Sequence, residues 1–390
     1  MISVKKKENC CACGACKQIC PNQCISMSAD RDGFLYPEVH VERCIDCGLC
    51  EKVCPIINQA DARQPIKVYA AKNDNEDIRL RSSSGGIFTF LAERILEEDG
   101  VVFGAKFDDN WNVVHDYTEN KDGLEQFRGS KYVQSDIGDS YIKAERFLKD
   151  GRKVMFTGTS CQIAGLNRYL RKEYTNLLTV DVVCHGVPSP LIWATYLKEE
   201  ISRQIQIDKN AVLSGVNFRD KSSGWKDFSF VLKFSCKSEA GNNHSVFSSV
   251  FSENDYMRAF LSNLSLRPSC YKCPVRAGKS GSNITIGDFW GINKFYPELD
   301  DDKGVNLVLL YAPIVLPLNG FQEVTYEQAI KGNYCVENSV DCPVASRYRF
   351  FNVFHGKRSV IKAVDTVMRR NLLYKGFRLL DKLIYRINNK

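Results

Sequence analysis

Two cysteine runs near the amino terminus constrain the fold of this chain more than any other feature. In each run, two residues separate successive cysteines among the first three, three residues precede the fourth cysteine, and a proline follows it. This spacing is typical of the thiolate ligands of [4Fe–4S] clusters. The first run contains Cys10, Cys13, Cys16 and Cys20, and the second contains Cys44, Cys47, Cys50 and Cys54. We therefore predict a module that binds two clusters and transfers electrons.

The spacing also predicts which cysteines share a cluster. In ferredoxins with two such runs, the fourth cysteine of each run binds the cluster held by the other run. The first cluster site is therefore predicted to consist of Cys10, Cys13, Cys16 and Cys54, and the second cluster site of Cys44, Cys47, Cys50 and Cys20. Zinc is the alternative, but zinc sites usually combine two pairs of cysteines rather than two triplets. Cys11 and Cys24 fall outside the spacing and are interpreted as spare thiols.

Composition limits the class of protein. With 390 residues, of which 44% are hydrophobic and 25% are charged, the chain is expected to form a globular protein of two or three domains. Its 17 cysteines would suit a secreted, disulfide-rich protein, but the charged start is not followed by the apolar segment of a signal peptide. No apolar run is long enough to span a membrane either. We therefore expect a cytoplasmic protein whose thiols bind metal.

Positive charge is concentrated in the carboxy-terminal tail. Residues 357–390 contain ten basic and two acidic residues, whereas the rest of the chain contains 43 basic and 44 acidic residues. The body is thus nearly neutral, which argues against binding of nucleic acid. Apolar residues recur at helical spacing through the tail, which predicts a basic amphipathic helix. Such a helix can lie peripherally on the inner membrane surface or pack against the body or a partner, and the pattern leaves these alternatives open.

The pattern of hydrophobic segments divides the chain into three parts. A two-cluster ferredoxin-like domain is predicted for residues 1–60, a second domain for residues 66–350, and the helical tail for residues 357–390. In the second domain, apolar strands alternate with polar turns and amphipathic helices, as in α/β proteins. The predicted fold class is therefore α/β (α+β), with a mixed-sheet α/β domain joined to the ferredoxin-like module and a helical tail.

Two polar segments of the second domain could contact an anionic ligand. The sequence SSSGGIF (82–88) leads into a predicted helix, whose start the serines could cap and where the glycines allow close approach of the backbone. A helix start of this kind can hold a phosphate on its N–H groups, although ordinary capping is the simpler explanation. Lys131, in the segment RGSKYVQSD (128–136), could contact an anionic cofactor or lie in a surface loop.

Four cysteines of the second domain form a further candidate metal site. Cys161 and Cys184 follow two successive predicted strands, and the carboxyl ends of parallel strands line the binding site in α/β proteins. Cys270 and Cys273 form a CxxC motif followed by proline. Together the four could hold a third iron–sulfur cluster; a redox-active disulfide between Cys270 and Cys273, or a zinc site, is the alternative. His185 could donate a proton, or it could be a hydrogen-bonded structural histidine.

The order of these motifs resembles the coenzyme F420 hydrogenase/dehydrogenase beta subunit family. The resemblance extends to about residue 345. It rests on the cysteine runs and on SSSGGIF (82–88), GSKYVQS (129–135), GTSCQIAGL (158–166), VCHGVPSP (183–190), CYKCP (270–274) and GDFWG (287–291). Members of this family are iron–sulfur flavoproteins that pass electrons between clusters and bound FAD, to or from a second substrate.

The resemblance implies both cofactors and residues. It implies a flavin domain that binds FAD and carries a third [4Fe–4S] cluster on the four cysteines of the second domain. The implied cofactor-binding residues are Ser84, Gly85, Gly86, Ser130, Lys131, Thr159 and Asp288. The full ferredoxin-like module and the basic tail depart from the minimal family pattern. They are similar to a self-contained bacterial variety, which makes use of coenzyme F420 itself doubtful.

The function implied by the resemblance is that of an iron–sulfur flavin-dependent oxidoreductase. A ferredoxin-like carrier would supply electrons, and an organic small molecule, by analogy with relatives found near polysaccharide-synthesis enzymes, would receive them. One alternative is an electron-transfer subunit without its own substrate that serves a partner enzyme; another is a coenzyme F420 oxidoreductase. A homo-oligomer is compatible with the sequence.

Overall fold

The computed structural model describes residues 1–238, 241–316 and 319–368. The α-helices are α1 (Ala15–Gln18), α2 (Leu49–Lys52), α3 (Glu76–Arg81), α4 (Ile87–Glu97), α5 (Lys121–Leu124), α6 (Ser140–Lys149), α7 (Ser160–Leu170), α8 (Pro190–Ile207), α9 (Asp255–Leu261), α10 (Tyr326–Lys331), α11 (Val344–Lys357) and α12 (Val360–Met368). The β-strands are β1 (Ile25–Ala29), β2 (Leu35–Val39), β3 (Lys67–Ala71), β4 (Val101–Phe107), β5 (Val113–Thr118), β6 (Val154–Thr159), β7 (Leu177–Val182), β8 (Ala211–Asp220), β9 (Ser229–Ser238), β10 (Gly241–Val250), β11 (Ile284–Asp288), β12 (Asn306–Leu310) and β13 (Phe321–Glu323).

Eight strands form the main sheet, in the order β13-β3-β12-β11-β7-β6-β4-β5. Strands β4, β6, β7 and β11 pair in parallel, whereas β12, β3 and β13 extend the sheet in antiparallel fashion on one side and β5 does so on the other. Parallel neighbours need a crossover connection, which α7 provides between β6 and β7. The predicted mixed-sheet α/β fold is confirmed.

The parallel strands are short and almost continuously apolar because both faces of the sheet are covered. Strand β6 begins with Val154, Met155 and Phe156, which are fully buried. They pair with residues 101–103 of β4 and 177–179 of β7. This register brings the carboxyl ends of neighbouring strands to one edge of the sheet, where binding residues of α/β proteins lie.

The ferredoxin-like module repeats one small motif. Helix α1 begins after Gly14 (φ 75°) and helix α2 after Gly48 (φ 71°). Both glycines have a left-handed backbone conformation that other residues rarely adopt, and each lies between the second and third cysteine of its run. Strands β1 and β2 form an antiparallel hairpin beside these helices. The repeat in the sequence is therefore also a repeat in the structure.

A smaller sheet shares its hydrophobic core with four helices and with the ferredoxin-like module. Strands β8, β9 and β10 are antiparallel, in the order β10-β9-β8. Their core includes Trp193 of α8, Tyr256 of α9, Phe350 of α11 and Phe230 of β9. Phe34, from the hairpin of the ferredoxin-like module, belongs to the same core. The module is therefore packed onto this part of the chain through apolar contacts.

Helix α12 is the beginning of the predicted basic tail. Val360, Ala363, Val364 and Val367 on its apolar face are buried, in contact with helices α8, α9 and α11. The first turns of the tail therefore pack on the body. Residues 369–390 lie outside the described residues, so contact of the tail with a membrane surface stays a prediction. Within the described ranges, no helix combines the length and the hydropathy needed to cross a membrane.

Burial of His115 predicts a stability that falls in acid. Its imidazole is 7% exposed, 2.9 Å from the hydroxyl of Ser135 and 3.0 Å from the carbonyl oxygen of Thr157. Burial lowers its pKa to about 4. The folded state therefore binds fewer protons than the unfolded state, whose histidine has a pKa of about 6.5, and the free energy of unfolding falls as the pH drops through this window.

In urea unfolding, we expect the wild type to lose about 1 kcal/mol more than the His115→Gln variant between about pH 7 and about pH 5.5. The variant lacks the titrating group but retains an amide that can hydrogen-bond. An equal loss of stability in both proteins would contradict this account of His115.

Candidate redox centres

The structure brings together the four cysteines of the first cluster site. Cys16 lies on α1 and Cys54 just after α2, while Cys10 and Cys13 lie on the loop before α1. Burial, followed by the neighbouring thiols of Cys10 and Cys54, raises the pKa of Cys16 to about 12. Cys13 also interacts electrostatically with Cys16 and Cys54. Bound metal would reverse this preference for the protonated form, because coordinated thiols are deprotonated.

The second cluster site surrounds a cavity that reaches the surface. The cavity is lined by Cys20, Cys44, Cys47 and Cys50, the set that the spacing predicts. Cys24 lines it as well; its side chain is 2% exposed and its Sγ lies 3.3 Å from the Sγ of Cys20. Because Cys47 is exposed, this site is accessible from solvent.

Four cysteines that are far apart in the sequence converge at the edge of the main sheet. Cys161 lies in the first turn of α7, after β6, and Cys184 lies just after β7. Cys270 and Cys273 lie in and directly after a short 3-10 helix, Pro268–Lys272. Burial raises the pKa of Cys184, and the thiols of Cys270, Cys161 and Cys273 all act on it electrostatically. We call these four residues the third cysteine group.

The arrangement of thiols is compatible with clusters of several irons. Among the described residues, no three side chains of cysteine, histidine, aspartate or glutamate are placed to hold a single metal ion. In a [4Fe–4S] cluster each thiolate binds a different iron, so the four thiolates surround the cluster instead of meeting at one point. The cysteine groups can therefore serve as cluster ligands even though their sulfur atoms do not surround a single point, as the ligands of a zinc ion do.

A buried cation lies beside the third cysteine group. Arg276 is 8% exposed and donates to the backbone carbonyl oxygens of Cys335 and of His185, the latter at 3.3 Å. Burial opposes its charge, but the thiols of Cys273 and Cys184 raise the pKa of Arg276 above its ordinary value. Its Nε is buried and lacks a hydrogen-bond partner among the described residues. An anionic cluster would supply the missing negative charge.

The glycine–serine segment of residues 82–88 lies at the same edge of the sheet. Gly86 precedes α4 with a left-handed backbone (φ 85°). A Cβ on Gly85 would lie 2.5 Å from a carbonyl oxygen of β3 and 2.7 Å from the amide nitrogen of Asn306. Only glycine fits these two positions without strain. The hydroxyl of Ser84 is turned into the protein, where it donates to a backbone carbonyl oxygen at 2.9 Å.

The serines do not cap α4, contrary to the expectation. The hydroxyl of Ser82 donates to the carbonyl oxygen of Ile78 at 2.7 Å, at the end of α3. The hydroxyl of Ser83 accepts the N–H of Ser130 at 2.7 Å. Gly86 takes the capping position because the residue before α4 has a left-handed backbone conformation, which serine rarely adopts. The hydrogen bond from Ser130 to Ser83 joins the segments 82–88 and 128–136, which are separate candidate sites in the sequence.

Lys131 is a half-buried cation whose hydrogen bonds go to the backbone. Its Nζ donates to the carbonyl oxygens of Gln126 at 2.8 Å and Arg128 at 3.0 Å. Burial lowers the pKa of Lys131 to about 7. Glu125 attracts it electrostatically, but that carboxylate is itself paired with Arg128 and Arg81, so an anionic ligand beside Lys131 would be favourable.

Lys221 is a second cation of this kind, which sequence reasoning missed. Its Nζ donates to the carbonyl oxygens of Ser84 at 3.0 Å, Arg79 at 2.7 Å and Lys303 at 2.6 Å. Burial lowers its pKa to about 8. It follows β8, in a polar loop that carries no recognisable motif, so only the fold reveals its contact with Ser84.

Asp288 positions other side chains at the end of β11. Its carboxylate accepts hydrogen bonds from Arg219 at 2.8 Å and from the indole of Trp225 at 3.0 Å. Trp225 stacks on Trp290 with ring centroids 4.6 Å apart and planes 2° apart. The Nε of Arg219 is buried without a partner among the described residues. A direct contact of Asp288 with FAD stays a prediction, whereas Arg219 has a free donor that the sequence did not mark.

Thr159 and His185 have structural partners. Thr159 caps α7 together with Gln162, and its hydroxyl lies 3.2 Å from the Sγ of Cys161. The Nε2 of His185 lies 2.7 Å from the Oδ1 of Asn263. Burial lowers the pKa of His185, which disfavours the protonated form. The hydrogen-bonded environment agrees with the structural alternative for His185.

Comparison with known protein families identifies three parts of the chain. Residues 9–57 match the 4Fe-4S dicluster domain, residues 68–140 match the N-terminal part of the coenzyme F420 hydrogenase/dehydrogenase beta subunit, and residues 151–313 match its C-terminal part. The chain belongs to the coenzyme F420 hydrogenase/dehydrogenase beta subunit family. It is thus an iron–sulfur electron-transfer protein of that oxidoreductase family.

The candidate residues lie within the segments that match the family. Ser84, Gly85, Gly86, Ser130 and Lys131 lie within the N-terminal match, while Thr159, Asp288 and the third cysteine group lie within the C-terminal match. A solved structure of the F420-reducing [NiFe] hydrogenase complex from Methanosarcina barkeri, a xenon derivative, is similar at 17% identity, covering 79% of this chain and 93% of that chain, with a TM-score of 0.43. No curated protein matches the chain.

Proposed function

We propose that the chain is an iron–sulfur flavin-dependent oxidoreductase. It takes electrons from a ferredoxin-like carrier, passes them through [4Fe–4S] clusters to FAD, and delivers them to an organic substrate, for which polysaccharide biosynthesis is the setting that the resemblance suggests. One observation carries the proposal: the third cysteine group and the candidate FAD residues lie at the same edge of the main sheet. When bound, clusters exchange single electrons and flavin exchanges two, so the combination suits the reduction of an organic molecule.

The third cysteine group would hold a third cluster. Its four thiols lie together, and the peptide N–H of Val187 donates to the Sγ of Cys270 at 3.4 Å, an interaction that favours a thiolate. Arg276 would balance part of the negative charge. The protein's contribution here is to bury the cluster, to supply these hydrogen bonds, and so to set its reduction potential.

The glycine–serine segment of residues 82–88, together with Lys131 and Lys221, would hold the phosphate groups of FAD. Lys221 donates to the carbonyl oxygen of Ser84 in this segment, and Lys131 directly follows Ser130, whose N–H donates to the hydroxyl of Ser83. Charge-assisted hydrogen bonds to phosphate are stronger than the bonds to neutral carbonyls that these lysines now make. The two lysines would therefore bind and orient the cofactor, and the glycines leave room for its approach.

A second candidate function is an electron-transfer subunit that serves a partner enzyme. The family is named for a subunit of larger enzymes, and the second cluster site opens to solvent at Cys47, where a redox protein could dock. In this case no small molecule would reoxidise the reduced flavin until the partner is added.

Cofactor analysis of the anaerobically purified chain tests the proposal. We expect about twelve iron and about twelve sulfide per chain, as three [4Fe–4S] clusters require, together with stoichiometric FAD. An iron content of about eight atoms per chain would contradict the third cluster, and a purified protein without flavin would contradict the proposed oxidoreductase mechanism. If the flavin is present and a reduced ferredoxin reduces it, acceptors tested with and without candidate partners distinguish an enzyme from an electron-transfer subunit.

A further inference from the structure

Arg267 is a buried cation at the junction between the first cluster site and the third cysteine group. Its side chain is 1% exposed. Its Nε donates to the carbonyl oxygen of Cys10 at 2.7 Å, and its own carbonyl oxygen accepts the N–H of Cys270 at 3.0 Å. It also acts electrostatically on the thiols of Cys161 and Cys270. One residue thus contacts the backbone of a cysteine from each set.

The hydrogen-bond partners of Arg267 are neutral. Its Nη1 donates to the Oε1 of Gln134 at 3.1 Å and its Nη2 to the carbonyl oxygen of Leu35 at 2.9 Å. The guanidinium also lies 4.4 Å from the ring centroid of Tyr36. Each of its three nitrogens has a hydrogen-bond partner, but these partners do not balance its charge, and a buried charge without a counter-charge is costly. The protein therefore gains stability if anions occupy the sites on either side.

Contacts of α7 show independently that the two sites are adjacent. A Cβ on Gly165 would lie 2.8 Å from the Cβ and 2.9 Å from the Sγ of Cys13, so a cysteine of the first cluster site packs directly on α7. Cys161, of the third cysteine group, lies one turn earlier on the same helix. The thiol of Cys11, interpreted from sequence as spare, interacts with the thiols of both Cys13 and Cys161.

We propose that Arg267 is the shared counter-ion of the first and third clusters and that it raises the reduction potential of both. The first and third clusters are then consecutive electron carriers, and the second cluster is the outermost one. The inference rests on the proposed third cluster. A [4Fe–4S] cluster with four thiolates is an anion and becomes more negative on reduction, so a fixed cation stabilises the reduced form. When one electron moves from the first cluster to the third, the former is oxidised and the latter reduced, and the total charge beside Arg267 is unchanged. Its guanidinium, held by fixed carbonyls, need not move.

Redox titration of the holoprotein followed by electron paramagnetic resonance tests this role. For Arg267→Gln we expect the reduction equilibria of the first and third clusters to become at least about tenfold less favourable, about 59 mV for a one-electron couple, with the second unchanged. Arg267→Lys, which retains the charge, should restore most of both potentials. Signals are assigned with Cys47→Ser for the second cluster and Cys184→Ala for the third.

Two matched controls separate charge from packing. Lys272 is exposed and pairs with Glu8 at 3.3 Å across the same junction, so Lys272→Gln should shift no potential. Arg276 interacts with thiols of the third cysteine group, so Arg276→Gln should lower the potential of the third cluster only. Iron and sulfide are measured in every variant, because a potential is interpreted only where the cluster is present.

Three results would overturn the inference. They are unchanged potentials in an Arg267→Gln protein with three clusters, an equal shift of the second cluster, and absence of magnetic coupling between the first and third clusters in fully reduced wild type. The last measurement does not use Arg267→Gln, so it tests whether the first and third clusters are adjacent even if that variant loses its clusters. Wild-type protein with iron for only two clusters would instead contradict the proposed function, which is a different outcome.

Discussion

Replacing Cys184 with alanine is expected to abolish the third cluster while leaving both clusters of the ferredoxin-like module in place. The thiol of Cys184 is half-buried beside those of Cys161, Cys270 and Cys273, and a [4Fe–4S] cluster needs one ligand for each iron. Iron should therefore fall from about twelve to about eight atoms per chain, with an equal fall in sulfide. Anaerobic metal and sulfide analysis of the two proteins measures this directly.

The same substitution should interrupt electron transfer from the ferredoxin-like module to the proposed FAD. The third cysteine group shares α7 with the first cluster site, because Cys13 packs on Gly165 and Cys161 lies on the same helix, and it lies at the same edge of the sheet as the candidate FAD residues. Without a cluster there, reduction of the FAD by reduced ferredoxin should slow sharply, while direct chemical reduction of the FAD should proceed as in the wild type. Stopped-flow absorbance of the flavin distinguishes the two reactions.

Cys335→Ala is the matched control for Cys184→Ala. Cys335 is also half-buried, its carbonyl oxygen accepts from Arg276, and its thiol interacts electrostatically with Cys273, but it is not one of the four predicted ligands. This variant should keep full iron and rapid flavin reduction. Equal iron loss in both variants, or full iron in Cys184→Ala, would contradict the assignment of ligands. Zinc in place of iron, or a disulfide between Cys270 and Cys273, would support the alternatives that the CxxC motif left open.

Sequence reasoning worked where chemistry leaves a fixed spacing or a fixed place in a strand–turn–helix unit. The cysteine runs have such a spacing, and the structure assembles both predicted groups of the module. The sequence predicts a site at Cys161 and Cys184 because each follows an apolar strand, and parallel neighbours bring such residues to one edge. The family assignment is confirmed, and three of the motifs that carry the resemblance, GTSCQIAGL (158–166), VCHGVPSP (183–190) and GDFWG (287–291), lie at the ends of β6, β7 and β11.

The remaining site residues could not be found this way, because only tertiary packing gives them their role. Arg219 and Lys221 come from the end of β8 and the loop after it, in the smaller sheet, and their sequence resembles an ordinary surface segment. Arg267 resembles any arginine before a proline until its burial is known. The serine caps failed because a hydroxyl can also bond to the backbone of a neighbouring helix, as Ser82 does.

Replacing Lys131 or Lys221 with methionine is expected to weaken FAD binding by roughly 10- to 150-fold each. This range follows from about 1.5–3 kcal/mol for a hydrogen bond to a charged group. Methionine keeps most of the apolar stem of the side chain and removes the ammonium group, so the loss should come from charge rather than from packing. Flavin content after purification and fluorescence titration of the flavin-free protein measure the change in Kd.

Two exposed lysines provide controls, and pH provides a further test of the same prediction. Lys121 pairs with Glu97 at 2.9 Å and Lys226 with Asp300 at 2.6 Å, so Lys121→Met and Lys226→Met should leave the Kd unchanged. The pKa of Lys131 is about 7 and that of Lys221 about 8 without a ligand. Only the protonated amine attracts phosphate, so wild-type affinity should fall as the pH rises through about 7 to 9. Each methionine variant should lose part of that dependence; wild-type affinity that is flat over this range, or that rises, would show that neither lysine binds the cofactor.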